Sequence, residues 1–314
     1  MMASGSLAMI FPGQGSQHVG MLAELAGQFP QVQATFAEAS TRLGYDLWQL
    51  AQQGPAEELA LTHITQPLIL SASVALWRVW LAREGQQPAL MAGHSLGEYS
   101  ALVAAGVLEF SDAVSLVEQR GKFMQSAVPV GEGAMAAIIG LDDAAVIAAC
   151  QSAAGDEVVA AVNFNSPGQV VIAGHAAAVA RAIDACKAAG AKRALPLPVS
   201  APFHSPLMQP AALRFAEVLE QVVVKSPLIP VLHNVGIEPC SDPAAIRQKL
   251  VDQIHGPVRW VDTVNALAAR GITRALELGP GKVLAGFNKR IQPDMNVGSV
   301  NDPASLEAAL APAA

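Results

Sequence analysis

A chain of 314 residues that is 52% hydrophobic and 14% charged has the material for a large core, since a protein of that size buries roughly three-quarters of its unfolded surface. A net charge of -7 without any Lys/Arg run argues against nucleic acid as a partner. Three cysteines, Cys150, Cys186 and Cys240, are far apart and lack a CxxC spacing, which argues against a disulfide framework or a zinc site and predicts buried fillers in a reducing compartment.

In chain order, "MMASGSLAMIFPG" has neither a basic leader nor a signal-length apolar run, so the chain is expected to open on a strand of a cytoplasmic protein. The glycine-rich turn "FPGQGSQ" (11–17) follows; it is not a dinucleotide fingerprint, because His18 stands where the third glycine belongs. "PLILSASVALWRVWLAREG" from Pro67 is interrupted by Ser71, Ser73 and Arg78 and reads as a buried core helix, so no membrane span is expected.

The strand "ALMAG" then runs into Gly93-His94-Ser95-Leu96-Gly97 and a helical pattern. Two readings compete. Ser95-Leu96-Gly97-Glu98 fits a capping box, which needs no chemistry. G-x-S-x-G between a strand and a helix is also the context of a nucleophile elbow. Further on, Arg120 in "VEQRGKFMQ" precedes Gly121, read as a helix terminator; alone it is explained by a surface arginine at a helix C-terminus.

From 130 to 198 the rhythm becomes β-α-β-β-α-β, the ferredoxin-like order. It predicts a small subdomain inserted into a discontinuous large one (1–129 and 199–314), with joints at "VPVGEG" and "PLPVSAPFHSP". "PVLHNV", which contains His233, and "TRALEL" read as further strands, each followed by a helical pattern. "GPGKV" lacks the spacing of a P-loop. Alternating strands and helices imply an α/β fold whose parallel sheet carries helices on both faces, and the cleft between subdomains is the expected ligand site.

A serine hydroxyl needs a base within hydrogen-bond reach. Of seven histidines, His204 in "SAPFHSPL" is the strongest candidate, on a proline-flanked loop where the chain re-enters the large domain. His94 should point away from Ser95 and serve packing. An oxyanion hole needs backbone donors: the amide of Leu96 at the helix start is one, and the turn "FPGQGSQ" is a source of the other.

"FPGQGSQ", "GHSLGEYSAL", "QRGKFMQ", "NFNSPGQVVIAG", "PFHS" and "ELGPGKVL" together resemble the malonyl-CoA:acyl carrier protein transacylases of bacterial fatty acid synthesis, and the related acyltransferase domains of polyketide synthases, across nearly the whole chain. The resemblance implies an α/β-hydrolase-like large domain carrying a ferredoxin-like small one. It implies that Ser95 carries the acyl group, His204 is the base, the amides of Gln14 and Leu96 form the oxyanion hole, and Arg120 takes the free malonate carboxylate. The backbone carbonyl of Gln253 would orient the histidine, in keeping with the lack of an obvious third acidic member. Phe203 before His204 resembles the malonyl-type pattern. No metal or cofactor is implied; malonyl-CoA and holo acyl carrier protein are substrates, and the chain is expected to be a monomer. A serine thioesterase or esterase of the α/β-hydrolase class, or an acyltransferase serving polyketide synthesis, is the alternative.

Overall fold

The computed structural model describes residues 6–199 and 201–311; residues 1–5, on which part of the leader argument rests, Ser200 in the expected second joint, and 312–314 lie outside the described residues. The strands are β1 Ser6–Phe11, β2 Leu90–Gly93, β3 Gly133–Ile139, β4 Val159–Ser166, β5 Gln169–His175, β6 Arg193–Pro196, β7 Val231–Leu232, β8 Ile272–Leu278 and β9 Asn296–Val300.

Five of them form a sheet in the order β7-β2-β1-β8-β9, parallel at every pairing. Because side chains alternate along a strand, Leu7, Met9 and Phe11 of β1 enter one apolar cluster while Ala8 and Ile10 enter another. The sheet is therefore covered on both faces, as parallel sheets with crossover helices require. Register matters for the site: Phe11 pairs with Gly93, so the turns that leave β1 and β2 emerge side by side.

The other four strands form an antiparallel sheet in the order β4-β5-β3-β6, the strand order of a ferredoxin-like unit. Ala136, Ile138, Val170 and Ile172 pack on its helices Asp143–Ala154 and Ala176–Ala188. Met135, Val171 and Ala173 point the other way and join the core of the large subdomain. Backbone hydrogen bonds from Phe164 N to Val258 O (2.9 Å) and Val258 N to Val162 O (2.8 Å) tie the two units together.

The apolar stretch around Pro67 lies in the helix Thr62–Ala82, which begins before the proline. It is long and apolar enough to cross a membrane, yet 89% of its most apolar window is buried inside the protein. Gly121 does not end a helix. The helix Phe110–Gln125 runs through it, because a Cβ there would stand 2.6 Å from His63 Cα and 2.8 Å from Thr62 O: the glycine lets two helices cross closely. Arg120 thereby becomes a mid-helix residue on the inner face. Cys240 is half-buried, unlike the buried Cys150 and Cys186.

The "ELGPGKVL" motif also has a structural account. Glu277, the last but one residue of β8, lies buried beneath the helix Val283–Ile291 and accepts from Leu284 N (3.2 Å) and Ala285 N (2.8 Å). A carboxylate there neutralises free helix N–H groups, although burial pushes its pKa up to about 7.

Candidate active site

Ser95 stands between the end of β2 and the helix Leu96–Ala104, with φ 50° and ψ -107°, a conformation that L side chains rarely adopt. The flanking glycines make this turn possible. A Cβ on Gly93 would collide with the backbone of Gly97 and Glu98, and one on Gly97 with the carbonyl of Phe11. Hydrogen bonds then hold the strained turn: Ser95 N donates to Asn234 Oδ1 (2.9 Å), and Asn234 Nδ2 donates to Gly93 O (2.7 Å).

The capping box does not form. Ser95 makes no side-chain cap, and its amide is taken by Asn234. Glu98 turns into the protein, where it is wholly buried. Its Oε1 lies 2.7 Å from His233 Nδ1, while Oε2 accepts from Asn234 N (3.0 Å) and Gln253 Nε2 (2.6 Å). His233 also departs from expectation: β7 ends at Leu232, and the histidine follows it at the strand's exit.

His204 Nε2 lies 2.7 Å from Ser95 Oγ. Its Nδ1 is 2.9 Å from Gln253 O and 3.2 Å from Gly256 O. Both acceptors lie at the C-terminal end of the helix Pro243–His255, where carbonyls lack intrahelical partners. Carbonyls only accept, so Nδ1 carries the proton and Nε2 presents its lone pair to the serine. Burial, reinforced by the Arg120 charge, pushes the imidazole down to about 3, which keeps it neutral over the physiological range.

Arg120 is 1% exposed, which removes the surface-arginine reading. Its Nη1 donates to Gln66 Oε1 (2.9 Å); its Nη2 donates to Gln253 Oε1 (2.9 Å) and to Ser95 Oγ (3.2 Å). Burial lowers its pKa from the ordinary arginine value. A buried guanidinium held by neutral amides is well suited to an anion.

Ser95, His204, Arg120, Leu96 and Gln14 line one cavity of about 310 Å³ between the two sheets. Its opposite wall comes from the small subdomain, including Met135, Ala137, Asn163, Asn165, Gln169, Val171 and Leu197, with Val199 at the joint. Phe203 lies at its edge. His94 is more than packing: its Nε2 lies 2.8 Å from Asn165 Oδ1, its ring meets Trp260 at 5.7 Å between centroids, and it too lines the cavity. Sequence reasoning missed Gln66 and Asn234, which carry no local motif, Asn165, although it lies within "NFNSPGQVVIAG", and also the side chains of Gln253 and Glu98 as hydrogen-bonding partners here.

The model of the acyl transferase domain matches residues 8–301. The chain belongs to the acyl transferase family. This acyl transferase is 61% identical over 303 residues to the malonyl CoA-acyl carrier protein transacylase of Salmonella typhimurium, covering 96% of this chain and 98% of the relative. Among solved structures it is similar to an acyl carrier protein S-malonyltransferase from Vibrio cholerae (TM-score 0.95, 57% identity, 96% of this chain and 99% of that one). It is also similar to a malonyl-transacylase in complex with the acyl carrier protein of a type II polyketide synthase (TM-score 0.96, 58% identity, 97% and 99% coverage).

Proposed function

We infer that this chain is a malonyl-CoA:acyl carrier protein transacylase that supplies fatty acid synthesis in the cytoplasm. The observation that carries the reading is one oxygen shared by two groups: Ser95 Oγ lies 2.7 Å from a neutral His204 Nε2 and 3.2 Å from Arg120 Nη2. The imidazole accepts the hydroxyl proton as Oγ attacks the malonyl thioester carbonyl. Negative charge develops on that carbonyl oxygen, toward the amides of Leu96 and Gln14. As the tetrahedral intermediate collapses, the C–S bond breaks and His204 returns the proton to the coenzyme A thiolate. The acyl-serine is then attacked by the phosphopantetheine thiol of the carrier, with His204 again relaying the proton.

Arg120 separates substrates. A malonyl group carries a carboxylate that pairs with the guanidinium, whereas an acetyl group leaves that buried charge without an anionic partner. The reaction needs no metal or redox group, since attack, proton transfer and oxyanion stabilisation are all supplied by the chain.

Intact-mass measurement tests the core of the reading. Malonyl-CoA alone is expected to leave a covalent malonyl adduct that is absent in Ser95→Ala; an adduct persisting in that variant removes Ser95 as the attachment point. With holo carrier added, malonyl-carrier is the expected product, and mainly free malonate would instead make the chain a thioesterase.

A further inference from the structure

Two buried charges flank Ser95, and they do not touch. Arg120 and Glu98 are 1% and 0% exposed, but no carboxylate among the described residues lies within ion-pair distance of Arg120. The side-chain amide of Gln253 stands between them. Its Oε1 accepts from Arg120 Nη2 at 2.9 Å, and its Nε2 donates to Glu98 Oε2 at 2.6 Å and to Ser95 O at 3.1 Å.

The polarity of this chain is forced. A guanidinium only donates and a carboxylate only accepts, so one amide bridging them has a single satisfying orientation, with oxygen toward Arg120 and nitrogen toward Glu98. A neutral group at 98 would weaken that constraint: the amide nitrogen would lose its charged acceptor at 2.6 Å and keep only the Ser95 carbonyl at 3.1 Å as an obligatory one, so Arg120 would be held less firmly. The bridge also preserves the substrate site. Gln66 and Gln253 hold one N–H on each terminal nitrogen of Arg120, leaving each with another, and the Nη2 one already points to Ser95 Oγ. A direct ion pair would instead neutralise the charge that an anionic acyl group must find.

We propose that Glu98 is a positioning residue for acyl selectivity: it fixes the orientation of the Gln253 amide, which holds Arg120 ready for a substrate carboxylate while keeping the two buried charges apart. The proposal rests on the reading of Arg120 as the carboxylate site. It has a built-in contrast in His233, which touches the other oxygen of Glu98 and stands outside the bridge to Arg120.

The readout is the ratio of kcat/KM for malonyl-CoA to that for acetyl-CoA, with holo carrier as acceptor. Glu98→Gln is expected to lower the ratio roughly tenfold, the scale of one hydrogen bond to a buried charge. Gln253→Met, which keeps the backbone carbonyl that holds His204, is expected to lower it similarly. His233→Ala is expected to lower the melting temperature and leave the ratio near wild type. If Glu98→Gln does not fold, Gln253→Met decides. An unchanged ratio in Gln253→Met, or in a folded Glu98→Gln, overturns the proposal, as does an equal loss of ratio in His233→Ala. Arg120→Ala tests the underlying reading separately: equal losses for both substrates would defeat the carboxylate site itself, whereas a selective loss there beside unchanged ratios in the other variants defeats only the bridge.

Discussion

The two walls of the central cavity are built from different chemistry. The large-subdomain wall holds Ser95, His204 and Arg120 in a hydrogen-bonded set in which nearly every polar atom has a named partner. The small-subdomain wall mixes apolar side chains, Met135, Ala137 and Val171 of the antiparallel sheet and Leu197 just beyond it, with the amides of Asn163, Asn165 and Gln169, and holds no ionisable group. Reaction depends on distances of a few tenths of an ångström, and the groups of the proposed mechanism stand at a strand-to-helix junction (Ser95), within a helix (Arg120) and on a buried turn (His204). Enclosing an acyl group asks mainly for shape and dryness, which the second sheet, packed on the core of the first through Met135, Val171 and Ala173, can provide.

The sharpest way to break this contrast is to remove a group from the reactive wall. His204→Ala is expected to slow acylation by about 10²–10⁴-fold, measured as the rate of adduct formation by rapid-quench mass analysis; a normal rate would move the base elsewhere. Ionisation offers a gentler test. Because His204 is pushed down to about 3 in the folded protein against an ordinary 6.5, it stays an unprotonated base well below neutrality. Its protonation should therefore produce no acidic limb near pH 6.5 in the transfer rate.

The same shift affects stability with a definite sign. Between those two pKa values the unfolded chain binds the extra proton, so stability conferred by the neutral imidazole is complete above about pH 6.5 and is lost as pH falls toward the folded value. Urea unfolding should show this as an added slope of about 1.4 kcal/mol per pH unit, missing in His204→Ala; identical pH slopes in the two proteins would count against a buried neutral histidine. The smallest effect is expected on the small-subdomain wall. Val171→Ala should change kcat/KM only a few-fold, and equally for malonyl and acetyl donors, because it removes about two methylenes' worth of contact from a partly open cavity. A selective effect there would mean that the small subdomain also reads the acyl group.

Much of this architecture is legible along the chain because its causes are local. The unbroken apolar run "LAMIF" marks a strand with two covered faces, and the β-α-β-β-α-β rhythm anticipates the second sheet. The glycines of "GHSLG" announce a turn too tight for side chains. Where local reasoning failed, a long-range contact had taken over. Gly121 looked like a helix stop, but the helix Thr62–Ala82 crosses against it, and packing outweighs its propensity. Ser95 and Glu98 looked like a capping box, but Asn234 and Gln253 compete for those same groups from more than a hundred residues away.

The sequence by itself determined the alternation of strands and helices, the sharp turn at Ser95 and the short list of residues able to do chemistry, since backbone sterics, periodicity and side-chain reactivity are properties of neighbours in the chain. Only the tertiary structure decided which of those residues meet. It alone buries Arg120 and turns Glu98 inward, and it sets the Gln253 amide between them, because burial and hydrogen-bond polarity come from groups that the fold, not the order of residues, brings within 3 Å.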